Sequence, residues 1–153
     1  MKKMLLAASL AALCMGFVGC QEECAEGDTA CQEQQNNESK GIAVYPHIKA
    51  VYEMLPATID EASCTESAAK IADYTDTNSE AMETALKTWN SDIVSIKGVA
   101  QATMAVLYLN TTSDKLRQCS ELGVASAEGA LNGFTAIQGM EVALKYAEQH
   151  ANN

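Results

Sequence analysis

Between residues 44 and 150, apolar residues recur at intervals of three and four, the spacing that one face of an α-helix requires. The first such stripe comprises Val44, Ile48, Val51, Tyr52 and Leu55. It predicts a helix that begins near Pro46, because proline is tolerated in the first turn of a helix. Pro56 is predicted to end this helix.

A second stripe of the same spacing starts at Cys64 and continues for more than forty residues. A single helix of that length would be about 70 Å long, so a compact domain requires the chain to turn back once. Asn78 and Asn90 are the two candidates for this turn, and Asn90 is favoured because it gives more even helix lengths. Capping-box patterns at Thr58–Glu61 and Ser63–Glu66 predict that the helix starts near Cys64.

The sequence NTTSD at Asn110–Asp114 consists of residues that cap helices, and it is predicted to separate this helix from a last one. The last helix is predicted to run from about Ser113 to His150. Its small residues would let a neighbouring helix approach closely, and tight packing within the bundle is favoured over a groove for a partner helix. These small residues are Gly123, Ala125, Ala127, Gly129, Ala130, Gly133, Ala136 and Gly139.

Together the elements predict an all-α fold, an up-down four-helix bundle in residues 42–153. A three-helix bundle is the alternative, in which Pro56 only kinks one long helix. In the four-helix topology the second and fourth helices start at the same end, which brings Cys64 and Cys119 within bridging distance. In the three-helix alternative these two cysteines would lie tens of ångströms apart.

Residues 20–41 differ in character from the bundle, because they contain almost no large apolar residue and are rich in Gln, Glu and Asn. Such a segment cannot bury enough apolar surface to offset the entropy lost on ordering. It is therefore predicted to be a flexible acidic tether, with a reach of roughly 25 Å.

Residues 1–19 have the layout of an export signal, in which two lysines precede an uncharged apolar run of about fifteen residues. A membrane span would need about twenty. The run ends in the sequence FVGC at Phe17–Cys20, which resembles the lipobox of bacterial lipoproteins. The resemblance implies that Cys20 receives a diacylglycerol on its sulfur and becomes the amino-terminal residue after cleavage. It also implies that Gln21, which is not Asp, permits sorting to the outer membrane of a two-membrane bacterium, facing the periplasm or the surface.

Four cysteines remain once the signal and the lipidated Cys20 are set aside: Cys24, Cys31, Cys64 and Cys119. In an exported protein an even set is typical of disulfides. The pairing Cys24–Cys31 is favoured by proximity along the chain, and Cys64–Cys119 by the bundle topology.

Charge narrows the range of partners. Removal of the two lysines of the signal leaves eight basic residues against twenty acidic ones, a net charge of −12 for the mature chain. Such a surface does not attract phosphate backbones, so nucleic acid is not expected as a partner.

The chain has two histidines, His47 and His150, which the predicted topology places at the same end of the bundle. This placing is similar, in geometry only, to that in b-type cytochromes built on four-helix bundles. The resemblance implies axial haem ligation by the two imidazoles, with Met54 or Met140 as a sulfur substitute. A surface role for His47 and a helix-terminus role for His150 are favoured instead.

No pattern for nucleophilic or metal-assisted catalysis is found, since the thiols are expected to be paired and neither GxSxG nor HExxH occurs. The acidic neighbours Asp60–Glu61 and Asp73–Asp76 are interpreted as caps and solvated faces. The sequence thus predicts a lipid-anchored helical protein of the cell envelope that acts by contact, in a structural, accessory or partner-binding role. The alternative is a periplasmic haem- or metal-binding bundle.

Overall fold

The computed structural model describes residues 41–95 and 98–151. Of residues 98 and 99 it describes the backbone only. These residues form six α-helices and no strand, which confirms the predicted all-α fold. The helices are α1 (Tyr45–Glu53), α2 (Glu61–Leu86), α3 (Trp89–Ile93), α4 (Gly98–Glu121), α5 (Ala125–Ala136) and α6 (Met140–His150). Cys20, Cys24, Cys31 and the predicted signal and tether lie outside the described residues.

The long helices alternate in direction. The α1 helix runs alongside α4 in the same sense, since the Ile42 amide donates to Gln101 at one end and Lys115 donates to the Pro56 carbonyl at the other, at 2.8 and 2.7 Å. The disulfide joins the start of α2 to the end of α4, so these two helices run in opposite directions. The α5 helix packs mainly against α2 and α4, and α6 mainly against α4. The predicted up-down bundle is therefore present, with more helices than expected.

The α2 helix starts at Glu61, three residues earlier than predicted, because Asp60 is its N-cap. The Asp60 carboxylate accepts a hydrogen bond from the Ser63 amide at 2.8 Å and another from the Thr58 hydroxyl at 2.6 Å. These hydrogen bonds, that of the Ser63 amide foremost, hold the pKa of Asp60 below its ordinary value. The interpretation of Asp60 as a capping residue is confirmed.

The chain reverses between α2 and α4, through the short helix α3, which contains Asn90. Asn78, the other candidate, lies inside α2, where its side-chain amide donates to the Tyr74 carbonyl at 2.8 Å. The preference for a turn at Asn90 is therefore confirmed. A polar side chain that returns to its own helix, as Asn78 does, leaves the helix unbroken.

The break predicted at Asn110–Asp114 is wrong, because α4 continues through it from Gly98 to Glu121. Two of its polar residues are used by the bundle instead of capping a helix. The Asn110 side chain donates to the Ala147 carbonyl of α6 at 3.0 Å, and Thr112 is buried in the core. Contacts between helices have thus overridden local capping preference.

The predicted last helix is interrupted twice, at Gly123 and at Gly139, where φ is +88° and +92°. At Gly123 the amide bonds to the Ser120 carbonyl at 2.8 Å, and the Val124 amide bonds to the Cys119 carbonyl at 3.3 Å. This pair of bonds is a Schellman motif, which ends a helix with a left-handed residue. A single helix from Ser113 to His150 is therefore wrong, because Gly123 ends α4 and Gly139 precedes α6.

The Cys64–Cys119 disulfide predicted from the sequence is present, with Cα atoms 5.5 Å apart. The topological reason given for it needs correction, since Cys119 lies in the last turn of α4 and not at the start of a final helix. Both sulfurs belong to a continuous core between the helices. The largest fully buried side chains of this core are Trp89, Phe134, Ile48, Ile71, Met82, Leu109, Leu116 and Met140.

Candidate functional site: the groove between α1 and α2

The α1 and α2 helices make few contacts with each other, and a surface groove runs along α2, with Ala43 and Met54, the residues that flank α1, on its other side. It consists of two depressions that share Thr77, of about 300 and about 700 Å³. The smaller is lined by Met54, Lys70, Asp73, Tyr74, Thr77 and Asn78. The larger is lined by Ala43, Thr77, Glu80, Ala81, Thr84, Ala85 and Thr88. We call this surface the α1/α2 groove.

The first residues of the domain are fixed by side chains from distant parts of the chain. Val44, at the N-cap of α1, provides no side-chain cap. The preceding amides are satisfied elsewhere, since that of Ile42 donates to Gln101 Oε1 at 2.8 Å and that of Ala43 donates to Asp92 Oδ2 at 3.1 Å. One end of the groove wall is thereby attached to α3 and α4.

The other face of α1 packs against α4 through tyrosines. The Tyr108 ring stacks on Tyr52 with centroids 4.1 Å apart and on Tyr45 with centroids 6.0 Å apart. Stacked aromatic pairs contribute beyond the area that they bury. Burial first, and the hydrogen bond with Tyr45 second, raise the pKa of Tyr108 above its ordinary value. The α1 helix, whose flanking residues Ala43 and Met54 line the groove, is therefore firmly held.

On the groove side, His47 of α1 contacts Tyr74 of α2. Its Nδ1 atom and the Tyr74 hydroxyl are hydrogen-bonded at 2.8 Å, and the two ring centroids lie 6.1 Å apart. Burial raises the pKa of the Tyr74 phenol. The pair spans from α1 to α2 between Ala43 and Met54, the two residues that the α1 side contributes to the groove.

The structure does not bring His47 and His150 together. His47 lies in the first turn of α1 and contacts Tyr74 of α2, whereas His150 is the last residue of α6. The His150 ring stacks on Tyr146 with centroids 4.0 Å apart, and its Nδ1 atom bonds to the Tyr146 carbonyl at 2.8 Å. Haem ligation by these residues stays a prediction from the sequence.

The charges on the exposed side of α2 are unbalanced. Lys70 pairs with Glu66 at 2.6 Å, and this pair holds the pKa of Glu66 below its ordinary value. Asp73 and Glu80 line the groove without an ion pair in the described part of the chain. The groove therefore presents free carboxylates beside its small side chains.

Neither a metal site nor a membrane-spanning helix is found among residues 41–95 and 98–151. No group of three or more His, Cys, Asp or Glu side chains there could hold a metal ion. None of the helices is long and apolar enough to cross a bilayer.

The groove was not predicted from the sequence, because the apolar stripe of α2 indicates only its buried face. A second stripe of small residues, Thr77, Ala81 and Thr84, follows the same helical spacing on an exposed side of that helix, and Thr88 continues it just beyond the helix end. This repeat was the available signal. It does not indicate that the residues flanking α1 lie beside this stripe and complete a groove with it.

No protein-family model, curated protein or solved structure matches the chain. A function for it can therefore rest only on its own residues and their arrangement.

Proposed function

We propose that the protein is a lipid-anchored partner-binding protein of the bacterial cell envelope, and that the partner binds in the α1/α2 groove. Acyl chains on Cys20 would hold it to the outer membrane, since Gln21 and not Asp follows the lipidated cysteine. The acidic segment before residue 42 would give the bundle freedom to meet its partner. This role is accessory, because it requires recognition and no chemistry.

The observation that carries this proposal is the groove itself. It is open to solvent and elongated, whereas small-molecule sites are concave and enclose most of the ligand. Its floor is a helix face of Thr and Ala residues, which a second helix can approach closely. The firm attachment of α1 to α4 keeps the groove formed before any partner binds.

Two features support placing the protein in the envelope. The sequence Phe17–Cys20 has the lipobox pattern. A disulfide such as Cys64–Cys119 is typical of chains that fold in an oxidising compartment, because thiols of cytosolic proteins are kept reduced.

The binding role is tested by filling the groove. Ala81→Trp places a large side chain on its floor, and Ala69→Trp makes the same change at an exposed position of α2 outside the groove. A photo-crosslinking amino acid at Thr84 should capture one partner in cells with the wild-type chain and with Ala69→Trp, and lose it with Ala81→Trp. Equal capture by both tryptophan variants would contradict the proposal.

The anchor is tested separately by fractionation. Cys20→Ser should move the protein from the membrane fraction to the soluble fraction of the envelope, since acyl chains supply its membrane affinity. Retention of the serine variant in the membrane fraction, with unchanged mobility, would contradict lipidation at this residue.

A further inference from the structure

We infer that the occupant of the α1/α2 groove is a basic helical segment of the partner protein. This inference rests on the proposed function, because it specifies the chemistry of the partner that the groove receives.

The dimensions of the groove suit a helix. On α2 its lining extends from Lys70 to Ala85, sixteen residues that correspond to about 22 Å, or about four helical turns. Helices pack with their axes about 8 to 10 Å apart, and the short distances require small side chains such as those of Ala81 and Thr84. Met54, a flexible and adaptable side chain, lines one end.

The charge of the groove selects a basic occupant. Asp73 and Glu80 line it, and Asp76 and Glu83 are two further carboxylates of α2 that do not line it. None of these four carboxylates has an ion pair within the described residues, and Lys70 is already paired with Glu66. Lysines or arginines along one side of a bound helix would meet the two carboxylates that line the groove. Such pairs raise the association rate and discriminate against acidic partners.

Charge also argues against two other occupants. The segment of this chain from residue 20 to residue 40, which leads to the groove at Ala43, contains six acidic residues and one basic residue. A second copy docked symmetrically in the groove would place Asp73 and Glu80 of one copy against the same acidic face of the other. Both arrangements juxtapose like charges, which costs affinity.

A depression on α6 provides a matched control. It has about 470 Å³ and is lined by Thr135, Glu141, Leu144, Lys145 and Glu148. Glu141 and Glu148 are seven residues apart on one helix, as Asp73 and Glu80 are on α2. Reversing both charges of either pair therefore changes the net charge of the protein equally.

The test uses a probe of defined chemistry and the exported chain carrying Cys20→Ser. The probe is a twenty-residue alanine-based helical peptide with lysines along one side, and its analogue has glutamates in place of the lysines. We expect the lysine peptide to shift the NMR amide signals of Thr77, Ala81 and Thr84, and the glutamate peptide to leave them unchanged. Asp73→Lys with Glu80→Lys should weaken binding about tenfold, and Glu141→Lys with Glu148→Lys should not.

Other outcomes would overturn the inference. They are equal binding of the two peptides, equal weakening by the two double variants, or signal changes centred on α6. Groove signals that shift with protein concentration alone would identify a second copy as the occupant. Groove signals that shift when residues 21–40 are deleted would identify the chain's own segment.

Cross-linking at Thr84 in cells separates failure of this inference from failure of the proposed function. If Ala81→Trp abolishes capture and Asp73→Lys with Glu80→Lys does not, the groove binds a partner that is not basic, and only the inference falls. If neither change affects capture, the groove is not the binding site and both fall.

Discussion

Cys64 in the first turn of α2 and Cys119 in the last turn of α4 are joined across the end of the bundle, 55 residues apart in the sequence. Closing a loop of this length stabilises the fold by about 4 kcal/mol in the chain-entropy description. We expect Cys64→Ala with Cys119→Ala to lower the free energy of unfolding by roughly this amount, as measured by urea denaturation. A reductant should destabilise the wild-type chain similarly and leave the double variant unaffected. An unchanged unfolding midpoint in the double variant would contradict a stabilising role for the bridge.

The two glycines that end α4 and precede α6 differ in their surroundings. A Cβ atom at Gly123 would have no neighbour within 4 Å, whereas one at Gly139 would lie 3.1 Å from the Leu86 Cβ. Both residues have left-handed φ, which costs a non-glycine residue about 1 kcal/mol. We expect Gly123→Ala to cost about 1 kcal/mol and Gly139→Ala about 2 kcal/mol or more, measured by thermal or urea unfolding. Equal costs would show that the contact with Leu86 is relieved without strain.

Thr112 is fully buried, and its hydroxyl has no hydrogen-bond partner within the described residues. Thr112→Val keeps the shape and removes the unsatisfied group, so we expect stability to rise by about 1 kcal/mol. Thr75→Val is the matched control, because the buried Thr75 hydroxyl donates to the Ile71 carbonyl at 2.9 Å and its removal brings no such gain. A loss of stability in Thr112→Val would indicate that the hydroxyl is satisfied in solution.

Stability should fall at alkaline pH because of Tyr74 and Tyr108. Their pKa values are raised in the folded chain, mainly by burial, above the ordinary tyrosine value of 10.0. As pH rises past 10.0, the unfolded chain therefore loses these protons first, and stability present below that pH decreases until the folded phenols ionise. Denaturation midpoints from pH 8 to 11 should show the fall. It should be smaller in Tyr74→Phe and in Tyr108→Phe, and an unaltered pH dependence in both variants would contradict the assignment.

Much of the fold could be predicted from periodicity. The three- and four-residue spacing predicted the helices, and the preference for even helix lengths predicted the turn near Asn90. The pairing of Cys64 with Cys119 was predicted from a topology in which Cys119 begins a helix, whereas it lies in the last turn of α4. The ends of the helices could be predicted less well from the sequence. Asn110 has the side chain of a capping residue, yet in the fold it binds the Ala147 carbonyl, a contact 37 residues away that no local pattern reveals.

Asn110 was predicted to interrupt a helix and does not, whereas two glycines were predicted to lie inside a helix and instead interrupt it. Gly123 and Gly139 fit the helical period, so they were interpreted as packing positions, whereas their positive φ ends one helix and precedes another. The groove could not be predicted from the sequence, for a related reason. Its floor on α2 is visible as a repeat of small residues, but its depth depends on where α1 lies, and that position is set by Tyr108, Gln101 and Asp92 from later in the chain.

The proposal that the protein lies at a membrane surface depends on acylation of Cys20. Intact mass spectrometry of the protein extracted from the membranes of its own cells tests it most directly. We expect a chain that begins at Cys20 and carries the mass of a diacylglycerol, with or without a further acyl group. A chain without acyl mass, whether cut elsewhere or uncut, would contradict the account.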